Sequence, residues 1–202
     1  MDVQSLLPEL AAAPKAEAPK AEAIEAAALE LFVEQGFHGT TVPEIARRAG
    51  VGTGTLYLYH ASKDELLDAL FLRWETILIE GVKEAERGTV TPRETFAAHW
   101  QAAVRFIESF PVAWAFIIAY NGSPYVSQAT RGRIEAMKAP LVAGFESGIA
   151  QGVFKPLPPA LLQAVCFGVL REVRELVVRE RITMTPALWQ AAETMAWEAI
   201  CL

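Results

Sequence analysis

Eight side chains between Thr41 and Lys63 have the chemistry to hold a polyanion: the hydroxyls of Thr41, Thr53, Thr55, Tyr57 and Tyr59, and the cations Arg47, Arg48 and Lys63. Hydroxyls, helix N-termini and a few basic groups are what position a protein on a phosphate backbone. Arg47 and Arg48 fit that role, and fit equally a place as solvent-facing charges on a helix. The whole chain carries 18 Lys and Arg against 24 Asp and Glu, a net charge of −6, which opposes anion binding overall. Within 41–59, however, Arg47 and Arg48 stand against Glu44 alone, so the segment is weakly basic.

Positioning these groups requires short helices. Thr41 and Glu44 form a capping box with Pro43 in the first turn, and Val42, Ile45, Ala46 and Ala49 give a two-turn apolar stripe that stops at Gly50. After the Gly50-Val51-Gly52 turn, Thr53 can cap a second short helix to Tyr59, with Leu56 inward. Before them, Ile24, Ala27, Ala28, Leu31 and Phe32 predict a helix over about 21–35, ended at Gly36 by a left-handed cap. After them, Ser62 and Glu65 open a long helix. Two short helices across a glycine turn describe a helix-turn-helix whose second helix could enter a major groove.

The remaining punctuation predicts an all-α chain of about nine helices. Thr91, Pro92 and Glu94 open a helix to Phe110, Pro111 starts one to Tyr120, and a helical stretch to Ala150 is expected to be kinked or divided at Pro140. Two further helices cover about 161–179 and Thr185 to the end. The expected organisation is a flexible tail over 1–20, in which Lys15 and Lys20 could touch phosphates or only solvate the tail, a helix-turn-helix domain over 21–80 centred on 41–60, and a second helical domain over 81–202.

The segments Ala27–Phe32, Gly36-Phe37, Thr40-Thr41, Ile45-Ala46, Ala49-Gly50-Val51, Gly54-Thr55-Leu56-Tyr57 and Ser62-Lys63-Asp64-Glu65-Leu66 resemble the DNA-binding domain of TetR-type repressors over about 50 consecutive residues. The resemblance implies backbone contacts from Thr41, Thr55, Tyr57, Tyr59 and Lys63. Val42, Thr53 and Leu58 stand where relatives often carry polar base-reading groups, so thymine-methyl contacts and DNA shape are expected to matter more than hydrogen-bond readout. His60 departs from the family's usual apolar residue and is read as a partly buried structural histidine rather than a pH sensor.

Beyond residue 81 there is no nucleophile elbow, phosphate-cradling glycine loop or metal-ligand cluster, so neither an enzyme, a cofactor nor a metal is expected. Cys166 and Cys201 are too far apart in sequence for a disulfide framework and are read as packing residues in a reducing cytoplasm; no apolar run suggests a membrane span. The resemblance implies a pocket for a small hydrophobic or amphipathic effector, with Trp74, Trp100, Phe106, Phe116, Tyr120, Phe145, Phe167 and Arg171 as candidate lining, although aromatic residues on helices also build ordinary cores. His99, Arg105, Glu108, Asn121 and Glu172 are further possible polar anchors. It also implies a homodimer paired through the last two helices, matching a palindromic double-stranded operator with half-sites roughly 34–36 Å apart. The expected function is a ligand-responsive repressor released from DNA by its effector. The alternative is a helical ligand-sequestering protein with a vestigial helix-turn-helix.

Overall fold

The computed structural model describes residues 18–202; the expected tail over 1–17, with Lys15, lies outside them. Among the described residues the chain is all-α: α1 Ala18–Gly39, α2 Val42–Arg48, α3 Thr53–Tyr59, α4 Lys63–Ala85, α5 Pro92–Ser109, α6 Pro111–Tyr120, α7 Gln128–Ala150, α8 Pro159–Glu180 and α9 Pro186–Ile200. The first helix begins three residues before the expected boundary, so Lys20 is an exposed helical residue rather than part of a tail. The stretch expected to be kinked or divided at Pro140 runs as one helix from Gln128 to Ala150.

The residues group into two compact units. The first holds the described chain up to Ile77 together with Phe110–Ile134; the second holds Leu78–Ser109 and Glu135–Leu202. This differs from the expected division at 80, because α6 packs against α1 within the first unit. The reason is aromatic. Phe32 lies 6.2 Å from Phe116 and 6.1 Å from Tyr120, ring to ring. The Tyr120 hydroxyl donates to the Phe32 carbonyl at 3.2 Å, and burial pushes that hydroxyl's pKa up to about 12. Ile24, Leu31, Ile45, Leu56, Leu66 and Leu67 complete a core with no solvent exposure. Seven-residue helices such as α2 and α3 cannot stand alone in water, so burial of Ile45 and Leu56 where α2 and α3 pack on α1 and on each other decides whether they form.

The end of α1 is built by capping groups that come from far along the chain. Gly36 takes φ 71°, which a side chain would resist, and the helix resumes for one turn before Thr40. The fully buried Thr40 hydroxyl lies 2.8 Å from the Gly36 carbonyl and 3.1 Å from that of Leu31. Lys63, at the start of α4, donates through Nζ to the carbonyls of Phe37 (2.6 Å) and Thr40 (2.8 Å) and sits 4.1 Å from the centre of the Phe37 ring. Phe37 in turn stacks on Tyr125 at 4.5 Å, whose hydroxyl is 2.7 Å from His38 Nε2. Carbonyls left open by the break in α1 are thus met by an ammonium ion.

His60 caps α3 and is buried, as expected for a structural histidine. Its Nε2 lies 4.0 Å from Glu25, but Glu25 is already paired with Arg73. Burial lowers the His60 pKa: the loss of hydration outweighs attraction to Glu25 and Glu65.

In the second unit the expected capping box is complete: Glu94 N donates to Thr91 Oγ1 at 3.2 Å, while the Glu94 carboxylate accepts from the Val90 and Thr91 amides, each at 2.9 Å. These bonds hold the exposed Glu94 carboxyl below its ordinary pKa. Arg93 meets the buried Glu193 at 2.6 Å and lies over Trp197, tying α5 to α9. Lys155 Nζ donates to the Ala199 carbonyl at 2.6 Å, and Phe154 pairs with Cys201. Gly148 is required there, because a Cβ would lie 2.2 Å from the Phe154 ring.

Two measurements check this account. Replacing Lys63 by Met keeps the stem but removes two charge-assisted bonds, so thermal unfolding should show a loss of about 2 kcal/mol, roughly 4–8 °C for a chain of this size. A lowered His60 pKa means that, as pH falls below the ordinary value near 6.5, the unfolded chain takes up a proton that the folded chain refuses. Stability is therefore full above that pH and lost below it, and H60F should remove this part of the slope of unfolding free energy between about pH 6.5 and pH 5.

Candidate functional site

Thr41 opens α2 in extended backbone (φ −115°, ψ 149°), and its Oγ1 accepts from Glu44 N at 3.4 Å. Ile45 and Ala46 turn inward, Val51 N donates to the Ala46 carbonyl at 2.9 Å, and Gly50 takes φ 69° to make the turn. Gly52, not the expected Thr53, then sits at the N-cap of α3 with no side-chain cap bond, and only Leu56 of this helix is buried. Thr53, Gly54, Tyr57 and Leu58 are exposed, Tyr57 at 51% and Leu58 at 83%, while Thr55 and Tyr59 are half-buried. A single inward residue thus anchors a helix whose outer face offers a hydroxyl, an aromatic edge and an aliphatic tip.

The cations are distributed differently from the hydroxyls. Arg47 projects into solvent, 3.9 Å from Glu44. Arg48 is tied back to α1 through Glu34 at 2.9 Å and Glu30 at 3.6 Å, and Lys63 is committed to backbone carbonyls. The surface presented by α2 and α3 is therefore rich in hydroxyls and poor in available positive charge. Sequence reasoning located these residues but could not see the Arg48 pairs or the Lys63 bonds, which join positions 14 to 26 residues apart.

The second unit contains a cavity of about 310 Å³ between α5 and α9, lined by Arg105, Glu108, Trp189 and Glu193 among others, and two further cavities that share a wall. The inner one, about 130 Å³, is lined mainly by Leu78, Ile79 and Val82 of α4, Trp100 of α5, and Phe167 and Leu170 of α8. The outer one, about 230 Å³, is lined by Thr91 just before α5, Thr95 of α5, Gly144 and Ser147 of α7, and Gln151 just after α7. Phe96, His99, Leu141 and Phe145 face both. His99 Nε2 lies 2.6 Å from the Glu86 carboxylate. Cys166 also lines the inner cavity, and burial pushes its thiol pKa up to about 12, so it packs as a neutral group.

Of the expected pocket residues, the structure brings Trp100, Phe145 and Phe167 together on the inner cavity. It places the others elsewhere. Trp74 packs 5.3 Å from Phe110, and Phe116 and Tyr120 belong to the aromatic core of the first unit. Phe106 is buried within α5, and Arg171 is exposed beside Glu172. Glu108 accepts from Trp189 Nε1 at 2.9 Å. Phe96 and Leu141 were missed as lining residues; the spacing Phe96, His99, Trp100, Ala103 on one helix face carried the signal for the first. Among the described residues no group of His, Cys, Asp and Glu could hold a metal ion, and no single helix is long and apolar enough to cross a membrane.

Comparison with known proteins agrees with this geometry. A crystal structure of a tetR-family transcription regulator from Shewanella sp. PV-4 superposes with a TM-score of 0.78 at 31% identity, covering 91% of this chain and 98% of that one. The transcriptional activator FasR of Mycolicibacterium smegmatis is 36% identical over 109 residues, 53% of this chain and 50% of the relative. The fatty acid metabolism regulator protein of Bacillus subtilis is 37% identical over 68 residues, 34% of this chain and 35% of that protein. The chain thus spans about half and about a third of the length of these two curated relatives. Residues 24–70 match the bacterial regulatory proteins of the tetR family, and residues 57–202 match the tetracyclin repressor-like C-terminal domain. With a DNA-binding helix-turn-helix at one end and that C-terminal domain over most of its length, this chain belongs to the tetR family of transcriptional regulators.

Proposed function

We propose that this regulator is a cytoplasmic homodimeric repressor, held on a palindromic operator by α2 and α3 and released when an effector with an aliphatic or other apolar portion enters the second unit. Residues 21–80 would supply DNA binding and 81–202 effector sensing and pairing. The observation that carries the DNA-binding half is the outer face of α3, with Leu56 as its sole buried residue and Tyr57 and Leu58 projecting from a rigid scaffold. Thr41, Thr53, Thr55, Tyr57 and Tyr59 then act on phosphates, Arg47 adds one cation per protomer, and Leu58 suits a thymine methyl group. Arg48 and Lys63 serve first to hold α1 and the motif together.

Pairing through α8 and α9 is supported by apolar side chains left on their surface: Leu161, Leu176, Leu188 and Met195 are all more than a third exposed in the single chain. The effector reading is supported by the apolar inner cavity and by the fatty acid metabolism named for the Bacillus subtilis relative. Repression is supported by the transcriptional repressor KstR2 of Mycobacterium tuberculosis, 31% identical over 133 residues, 62% of this chain and 64% of that one.

Binding of the protein to its own upstream DNA, followed by anisotropy across salt concentration, tests the interface. A cation-poor face should give a shallow dependence, with a log–log slope of magnitude below about 5, and R47A in both protomers should lower it by about 2. Y57A should weaken binding roughly thirtyfold, the value of one hydrogen bond of about 1 kcal/mol in each protomer, without changing the slope. No shift of any upstream fragment at low salt would instead favour a ligand-sequestering protein.

A further inference from the structure

We propose that the inner and outer cavities form one bipartite site for an uncharged amphiphile, such as an alcohol, ester or amide of an aliphatic chain, and that a free carboxylate of the same length is disfavoured. This rests on the effector reading above and adds the chemistry of the head group. Neither cavity, at about 130 and 230 Å³, alone reaches the roughly 300 Å³ at which ordinary ligand pockets begin. They share Phe96, His99, Leu141 and Phe145, so a molecule long enough to pass that wall uses both.

The two ends differ in chemistry. The inner end offers aliphatic and aromatic surface from Leu78, Val82, Trp100, Phe167 and Leu170, which suits a hydrocarbon. The outer end offers hydroxyls and an amide from Thr91, Thr95, Ser147 and Gln151, and its lining contains no lysine or arginine. The positive end of α5, which opens there, is already answered by the Glu94 carboxylate. His99, at the shared wall, is bound to the carboxylate of Glu86. Lys138, on the inner lining, already has a partner of its own. An anionic head would lose its water and meet no lysine or arginine among the described residues that line the outer cavity, whereas a hydroxyl or carbonyl finds donors and acceptors of its own kind.

Gly144 gives a way to close the outer cavity alone. A Cβ there meets nothing within 4 Å, so a side chain can start at this position, and Gly144→Leu is expected to occupy the space for the head group while replacing a helix-weakening residue by a helix-favouring one. The experiment is equilibrium dialysis of the full chain at pH 8 against decanol, methyl decanoate and decanoate, with quantification by mass spectrometry. Decanol and methyl decanoate should bind at least tenfold tighter than decanoate, and G144L should cut their binding at least tenfold without lowering the melting temperature. Decanoate binding as tightly as the neutral pair would overturn the head-group assignment and leave the apolar effector reading standing. Neutral ligands that bind G144L as well as wild type would overturn the bipartite site. Failure of all three to bind would overturn this proposal and the aliphatic effector together, while operator binding, measured separately, would be untouched.

Discussion

The placement of the recognition helix depends on how the end of α1 is satisfied. Gly36 breaks that helix and leaves carbonyls pointing toward the start of α4, where the Lys63 ammonium collects those of Phe37 and Thr40. An uncompensated break would cost the desolvation of each buried carbonyl. Once it is compensated, Phe37 is fixed under the ammonium and against Tyr125, and the turn into α2 has one geometry. Ile45 and Leu56 then seat α2 and α3, each only seven residues long, on a core they could not generate themselves. The exposed face of α3 inherits its rigidity from contacts made on the other side of the motif.

Using the basic groups for structure changes the electrostatics of the surface. Arg48 answers Glu30 and Glu34, and Lys63 answers backbone, so the face that remains is led by hydroxyls, an aromatic ring and Leu58. Such a face gains less from counterion release and depends more on fit. That accords with the chain's net charge of −6, which a binder relying on long-range attraction would not carry easily. The two adjoining cavities of the second unit show a similar economy of charge: aliphatic, aromatic and hydroxyl groups make up most of their walls, and His99, which faces both, is already bound to Glu86.

The helices were readable from the sequence because their signals are local. Thr41, Thr91 and Thr185 each cap where the capping pattern places them, and Gly36 and Gly50 take the positive φ that their positions demand. Packing partners were less readable, since helical periodicity identifies an inward face without saying what it meets. Phe116 and Tyr120 look like the rest of the aromatic supply, yet their partner is Phe32, more than eighty residues earlier. Pro140 reads as a break, but α7 continues through it. His60, anomalous within the motif, was readable as buried; that loss of hydration would outweigh the pull of Glu25 and Glu65 and lower its pKa was not.

The central claim is that one chain couples occupancy of the second unit to the grip of the first on DNA. Operator affinity measured with and without saturating decanol, paired with decanol affinity measured with and without operator, tests it most directly. The account predicts that each ligand weakens the other by the same factor, roughly 5- to 150-fold. Operator affinity unchanged at full decanol occupancy would contradict it.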